Sequence, residues 1–427
     1  MARHRDGGTE GLLGEVLITR QPILDRSLTV VAYELLHRDV AGETDDSSAG
    51  DARATAAVLV DGVLGWREHL VDDDEDAHIN VPIDAFESGE LLDLPTEGLV
   101  LELPRLGDEV VPSRHSLRQH REAGFRVLLD DVVPDDPRLV LVDDVDLVKV
   151  DLIASGTVPA LRLIRELVAR KVTVVAGRVE SPALFDRTVA AGASLVQGFF
   201  FTRPRTVRTV RPVGLSPTHL SLLQACSAEP FDLDQVETLI RQDVTLADRF
   251  LRLVTRPGLR WREVKSIRDG LLMLGDRAVR RWVRLLVLSS AVRDSHPEMA
   301  TLAAVRARHC ESLQEAIGSS RQLDAFSLGM FSALGHDGVL EPEVLSELPV
   351  SEEVAAALSG KRGELRAVLD IALSAERADW NGVVSGGVSL GLSPADLARI
   401  QVDALAWARH LGAALSPTPP PPVDSVR

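Results

Sequence analysis

From residue 78 to residue 197 the chain alternates short apolar runs with helical patterns, and the runs end on polar or acidic residues. The clearest run is Phe125–Val132, F-R-V-L-L-D-D-V, in which Arg126 to Leu129 suit a buried strand and Asp130 and Asp131 follow at its carboxyl end. Parallel strands covered on both faces are apolar, while their carboxyl ends open onto the ligand crevice. Two adjacent carboxylates there are candidates for a hard divalent cation. An isolated Asp-Asp is more often a helix cap with a spare acid. The weight therefore comes from the other runs that end in the same way.

His78–Val81 carries Asn80, Leu99–Leu103 carries Glu102, and Asp146–Val150 carries Lys149 with Asp151 just beyond. Val172–Ala176 is a further strand, and Leu195–Val196 leads to Gln197. Helices are expected over Ser113–Ala123, Pro159–Arg170 and Ala183–Ala191. Upstream, Glu15–Thr19 and Leu28–Leu36 are expected to pair as an antiparallel start around a turn at 24–27, with Glu34 near the end of the second strand. Ala54–Leu64 is apolar at helical spacing and is expected to form the first helix. About eight strands over roughly 200 residues predict a (β/α)8-like barrel whose site lies at the carboxyl ends of its strands. Glu34, Asn80, Glu102, Asp130, Asp131, Lys149 and Gln197 then share an oxygen-rich pocket with one cation, which suits Mg²⁺ or Mn²⁺ and a phosphodiester.

A chain of 427 residues is too long for one ordinary core. After a linker at 206–214, everything from Leu215 is helical in pattern. Helices are expected at 219–228, 233–241, 246–255, 266–274, 277–292, 302–317, 325–334, 351–358, 362–375 and 395–411, with breaks at Gly258, Gly275 and Gly318. The fold class is thus α/β plus all-α. The net charge of −17 disfavours a nucleic-acid partner. The arginines at 277, 280, 281 and 284 around Trp282 are expected to form a solvated face over a buried indole. Cys226 and Cys310 are far apart, which fits a reducing compartment and no disulfide framework. With no long apolar run and no signal-peptide core at the start, a cytoplasmic protein without a membrane span is expected.

The series Q-P-I at 21–23, Y-E-L-L-H-R at 33–38, I-N at 79–80, L-E-L at 101–103, L-D-D at 129–131, K-V-D at 149–151 and Q-G-F-F-F-T-R-P at 197–204 resembles the EAL domain. Members of that family hydrolyse cyclic di-GMP to linear pGpG or bind it without cutting. The resemblance implies that Glu34, Asn80, Glu102 and Asp130 ligate one metal, Mg²⁺ or Mn²⁺, and that Asp131 faces a second. It implies that Lys149 neutralises phosphate charge or holds the water, and that Gln21, Arg38 and Gln197 line the nucleotide site. Lys149, Glu180 and Asp131 would form the catalytic set.

The departures matter as much. Active members read A-E-G-V-E where this chain reads A-G-R-V-E across Ala176–Glu180, so Gly177 stands at the expected base and Arg178 adds positive charge beside it. The glycine-rich loop after the two Asp, which links the metals to dimerisation, is V-V-P-D-D-P here, and Arg105 replaces a supporting acid. A missing base costs about 10²–10⁴-fold.

In the second half, 240–254, 264–282 and S-L-G-M-F-S-A-L-G at 327–335 resemble the HDOD domain, a helical relative of HD phosphohydrolases without the metal ligands. The adjacent His336-Asp337 mimics an HD pair, but the family's catalytic pair would fall nearer Ser332-Ala333, and His309 is expected to be structural.

The expected layout is a leader at 1–14, an EAL-like barrel at 15–205, a linker at 206–214, an HDOD domain at 215–411 and a Pro-rich tail at 412–427. The expected function is cyclic di-GMP binding with little or no hydrolysis, relayed through the HDOD domain to a protein partner. The alternatives are an active phosphodiesterase in which Glu180 or Asp151 replaces the base, and a scaffold without a nucleotide. A homodimer is one expected option for the assembly, and no metal is expected in the HDOD domain.

Overall fold

The computed structural model describes residues 16–39, 71, 75–105, 111–198, 217–228, 230–254, 266–291, 297–335 and 337–415. The expected helix at 54–64, the linker at 206–214 and the Pro-rich tail lie outside these residues. The chain divides into two compact units, one of residues 1–206 with 373–405 and one of 207–372 with 406–427. Among the described residues, no helix is long and apolar enough to cross a membrane.

Eight strands close a barrel in chain order: β1 (Val16–Asp25), β2 (Val30–Asp39), β3 (Asp76–Asn80), β4 (Leu99–Leu103), β5 (Arg126–Val132), β6 (Leu147–Asp151), β7 (Thr173–Gly177) and β8 (Leu195–Gln197). β1 runs antiparallel to both β2 and β8, and every other pair is parallel. The antiparallel start is as expected, with each strand longer than its apolar pattern. On the outside stand α1 (Ile83–Ser88), α2 (Arg114–Ala123), α3 (Leu152–Ser155), α4 (Thr157–Ala169) and α5 (Pro182–Ala191). Local sequence sets their ends. Ser113 caps α2 by accepting from the Ser116 amide, Ser181 caps α5 by accepting from the Leu184 amide, and left-handed Gly124 and Gly192 stop the same two helices.

The barrel interior explains where the site lies. Ala32, Val100, Leu128, Leu147 and Val175 form a buried apolar layer with Ile23. Side chains two residues apart on a strand share a face. The next inward positions are therefore Glu34, Glu102, Asp130, Lys149 and Gly177, one layer nearer the carboxyl ends. At β8 the chain turns away over Val179, whose amide donates to the Gln197 carbonyl at 3.0 Å. Gly198 has φ +149°, and a Cβ there would lie 2.1 Å from the Val179 carbonyl oxygen. Only glycine fits so close an approach.

The second unit is helical. Its elements include α6 (Pro217–Ser227), α7 (Leu233–Arg241), α8 (Val244–Val254), α9 (Ile267–Ala291), α10 (Pro297–Ala316), α11 (Gln322–Ser332), α12 (Pro342–Glu347) and α13 (Glu352–Leu358). Further along the chain, α14 (Glu364–Glu376) and α16 (Pro394–Leu415) are divided between the two units, and α15 (Trp380–Ser389) belongs to the first. The break expected at Gly275 is a single non-helical residue inside α9, at φ 75° and ψ 161°. α10 and α11 cross closely because Gly329 has no side chain: a Cβ there would lie 2.5 Å from the Arg306 carbonyl oxygen.

The arginines of α9 do not form the expected solvated face. Arg280 and Arg284 are only 5% and 6% exposed, and Trp282 is half-buried. Arg280 donates to the carbonyls of Cys226 and Ala228 at 2.8 and 3.0 Å, and Arg284 donates to the Cys226 carbonyl at 3.3 Å. These are the carbonyls that the end of α6 leaves without helical partners. Arg281 and Arg308 instead pair with the fully buried Glu311 of α10, at 2.7 and 3.0 Å. A helical period records which residues share a face; it does not record that the facing helix ends there or carries a buried acid.

His309 on α10 is 2% exposed, and its Nε2 finds no hydrogen-bond partner among the described residues. Burial lowers its pKa from 6.5 to about 4, so the folded chain refuses a proton that the unfolded chain accepts. Stability is then lost as pH falls from 6.5 towards 4, by about 3 kcal/mol at most. We expect His309→Leu to flatten that slope in urea titrations at pH 7 and pH 4.5. An unchanged slope would reject the assignment.

Candidate metal and phosphodiester site

At the carboxyl end of the barrel three carboxylates from β2, β4 and β5 converge. One oxygen each from Glu34, Glu102 and Asp130 lies within 4.8 Å of the others, and all three residues are buried. Lys149 of β6 reaches all of them, at 2.9 Å to Glu34 Oε2, 2.6 Å to Glu102 Oε2 and 3.2 Å to Asp130 Oδ1. Asn80 donates to Glu34 Oε1 at 2.7 Å, and Gln197 donates to Glu34 Oε2 at 2.7 Å.

One ammonium cannot neutralise three buried carboxylates, and the acids respond unequally. Burial pushes Glu34 up, but the Lys149 charge and the bonds from Gln197, Lys149 and Asn80 outweigh it and hold Glu34 down to about 2. Glu102 is pushed up to about 8, by burial and then by the Glu34 charge. Burial raises Asp130 as well, against the pull of Lys149. Burial opposes the charge on Lys149, yet Asp130, Glu102 and Glu34 together raise its pKa above the usual lysine value.

Three oxygen donors packed this tightly fit a hard divalent cation such as Mg²⁺ or Mn²⁺. Glu34, Glu102 and Asp130 would hold it, and it would supply Lewis-acid polarisation of a phosphoryl oxygen and an acidified water.

The other expected residues fall around this centre. Gln21 on β1 stands directly opposite Glu34 and is half-buried. The backbone of Arg38 pairs with Leu17 farther along β2, and its side chain lies outside the described residues. Asp131 does not join the triad. A bulge between Leu129 and Val132 puts it at φ 50°, and its carboxylate turns to Arg178, 3.6 Å away. Glu180 is exposed, three residues beyond β7. Gly177 faces inward, where a Cβ would touch the Lys149 Cγ at 3.3 Å.

Two contributors were not visible in the sequence. His78 of β3 is buried with its Nδ1 2.7 Å from Glu102 Oε1, and burial followed by the Lys149 charge lowers it to about 3, so the imidazole is neutral. Arg138 lies in the short helical turn Pro137–Leu141 just after the V-V-P-D-D-P segment and is 2% exposed. It donates to the Asp130 carbonyl at 2.7 Å and to the Leu103 carbonyl at 3.0 Å, while pairing with Asp136 at 2.8 Å. Arg138 thereby ties this turn to the carboxyl-end backbone of β4 and β5. The signal available in advance was an arginine between the Asp pairs at 135–136 and 143–144, which is too common to single out.

In the helical unit, Ser332 accepts from Arg306 at 3.0 Å and donates to the Gly329 carbonyl at 2.6 Å. Asp337 sits in a turn at φ 53°, and His336 is outside the described residues.

Residues 214–347 match the model of the HDOD domain family. The closed barrel carries on its strand ends the motif series that resembles the EAL domain. The chain is 28% identical over 405 residues to the cyclic di-GMP phosphodiesterase CdgJ of Vibrio cholerae, covering 92% of each chain. Among solved structures it is similar to an EAL domain protein of Listeria monocytogenes, at 17% identity and TM-score 0.36 over 47% of this chain and 95% of that one. It is also similar to BlrP1 of Klebsiella pneumoniae in complex with calcium and cyclic di-GMP, at 21% identity and TM-score 0.38 over 48% of this chain and 58% of that one.

Proposed function

We propose that the barrel is a cyclic di-GMP receptor that holds Mg²⁺ or Mn²⁺ on Glu34, Glu102 and Asp130 and hydrolyses the dinucleotide slowly or not at all. The HDOD domain passes its occupancy to a protein partner. The observation that carries this reading is the pairing of a complete buried carboxylate triad with a glycine at the inward position of β7. Binding needs the triad, Lys149 and the polar groups around them. Rapid cleavage also needs a positioned base. Asp151 is a poor substitute, because one of its oxygens accepts from the Ile153 and Ala154 amides and the other is 3.2 Å from Arg178. In the bound state Lys149 balances phosphate charge, and Gln21 and Gln197 present amides to the ligand from neighbouring strands.

A second reading, an active phosphodiesterase, is favoured by the likeness to CdgJ over nearly the whole chain. Glu180 is then the remaining candidate for the base.

Calorimetric titration of the full chain with cyclic di-GMP in Mg²⁺ buffer separates the readings. We expect saturable heat that stops once the ligand is bound. Sustained heat with pGpG in the cell would establish the enzyme instead. A flat trace from folded protein would reject both in favour of a scaffold.

A further inference from the structure

Catalytic centres that cut phosphodiesters commonly clamp the phosphate between two metal ions about 4 Å apart. Here the neighbouring position suited to a second ion does not fit one. The flanking carboxylates are Asp131 at the end of β5 and Asp151 at the end of β6. Arg178 lies between them, its Nη2 3.6 Å from Asp131 Oδ1 and its Nε 3.2 Å from Asp151 Oδ2. The second oxygen of Asp151 is spent on the start of α3, accepting from Ile153 at 2.8 Å and Ala154 at 2.9 Å. Residue 177, which could have added a carboxylate from β7, is glycine. A second cation would thus find Asp131 and one oxygen of Asp151, both already facing a guanidinium.

The backbone directs Arg178 into this place. Its φ of 57° is in the left-handed region, which an arginine adopts only at a cost. The side chain remains 55% exposed at the mouth of the barrel, so only part of its five-donor fork is used by the two acids.

We infer that Arg178 is a built-in replacement for the second metal ion, neutralising Asp131 and Asp151 and offering its remaining N–H donors to a phosphodiester oxygen. This rests on the reading of the barrel as a cyclic dinucleotide site. The substitution is chemically one-sided. A guanidinium matches the charge and geometry of a phosphate, but it has no coordination position for water and does not lower the pKa of water as a metal does. The site keeps the attraction for the ligand and loses one source of nucleophile. It therefore takes a single divalent ion per barrel.

The test counts metal without reference to turnover. Full-length protein is titrated with Mn²⁺, and free Mn²⁺ is read by electron paramagnetic resonance. The wild type is expected to bind one equivalent tightly, and Gly177→Glu with Arg178→Gly is expected to bind two. Two tight equivalents in the wild type would overturn the inference and leave the receptor reading standing. One equivalent in the double variant, with its fold intact by circular dichroism, would equally overturn it. In parallel, Arg178→Ala should weaken cyclic di-GMP binding by about tenfold or more, the loss of a hydrogen bond to a charged group. Unchanged affinity would remove Arg178 from the ligand. Absence of any cyclic di-GMP binding by a wild type that still holds one Mn²⁺ would reject the receptor reading, and the phosphodiester contact with it, leaving the one-metal assignment in place.

Discussion

Lys149→Met is expected to destabilise the metal-free barrel more than any other single substitution at the site. The ammonium contacts Glu34, Glu102 and Asp130 at 2.9, 2.6 and 3.2 Å, and all four residues are buried. Methionine fills most of the same volume, so packing is nearly conserved and the loss is electrostatic. Removing one partner from a buried ion pair costs about 3–5 kcal/mol, because the remaining charges are left without compensation. For a unit of this size that corresponds to roughly 10 °C in melting temperature. The measurement is thermal unfolding of the barrel in EDTA, repeated with excess Mn²⁺. A divalent cation on the three carboxylates replaces the missing positive charge, so Mn²⁺ should stabilise the variant more than it stabilises the wild type. Equal melting temperatures for variant and wild type in EDTA would show that the triad does not depend on Lys149.

The second large effect is on chemistry. Gly177→Glu combined with Arg178→Gly is expected to raise pGpG formation from cyclic di-GMP by about 10²–10⁴-fold, the usual contribution of a positioned base. The new carboxylate would enter from the inward face of β7, above Val175 and beside Lys149. Its Cβ would meet the Lys149 Cγ at 3.3 Å, so the lysine stem has to move by a few tenths of an ångström. Glycine at 178 relieves the positive φ and frees Asp131 and Asp151. Gly177→Glu alone should gain less, because Arg178 still spans the two acids. Product chromatography after incubation with Mn²⁺ measures both. Equal, background rates in all three proteins would place the defect in the segment after the two Asp, V-V-P-D-D-P at 132–137.

Much of this architecture was legible in the residues. Strands of five or so residues with period-2 side chains leave little freedom. Once Ala32, Val100, Leu128 and Leu147 are buried in the barrel, Glu34, Glu102, Asp130 and Lys149 must face inward one layer above them. The helices of the second half, and the interruption at Gly275, followed equally well from apolar spacing and a glycine. In both cases the information lies within a few residues of chain. The short helices α1, α3 and α12 were missed because four to six residues carry little period, and α15 was missed because its W-N-G-V-V-S-G-G-V-S sequence is rich in glycine and serine.

What tertiary structure decided are the partners of charged side chains. His78 meets Glu102 across 24 positions of sequence, Arg138 meets the Leu103 carbonyl across 35, and Lys149 meets Glu34 across 115. Arg280 reaches the end of α6 across 54. No local period encodes such meetings, because they depend on which strand ends or helix ends close on one another. Arg178 shows the limit most clearly. The sequence by itself placed a positive residue beside Gly177. Only the folded backbone, with its left-handed turn at 178 and the bulge at Asp131, brought that guanidinium between two carboxylates that would otherwise be open to a cation.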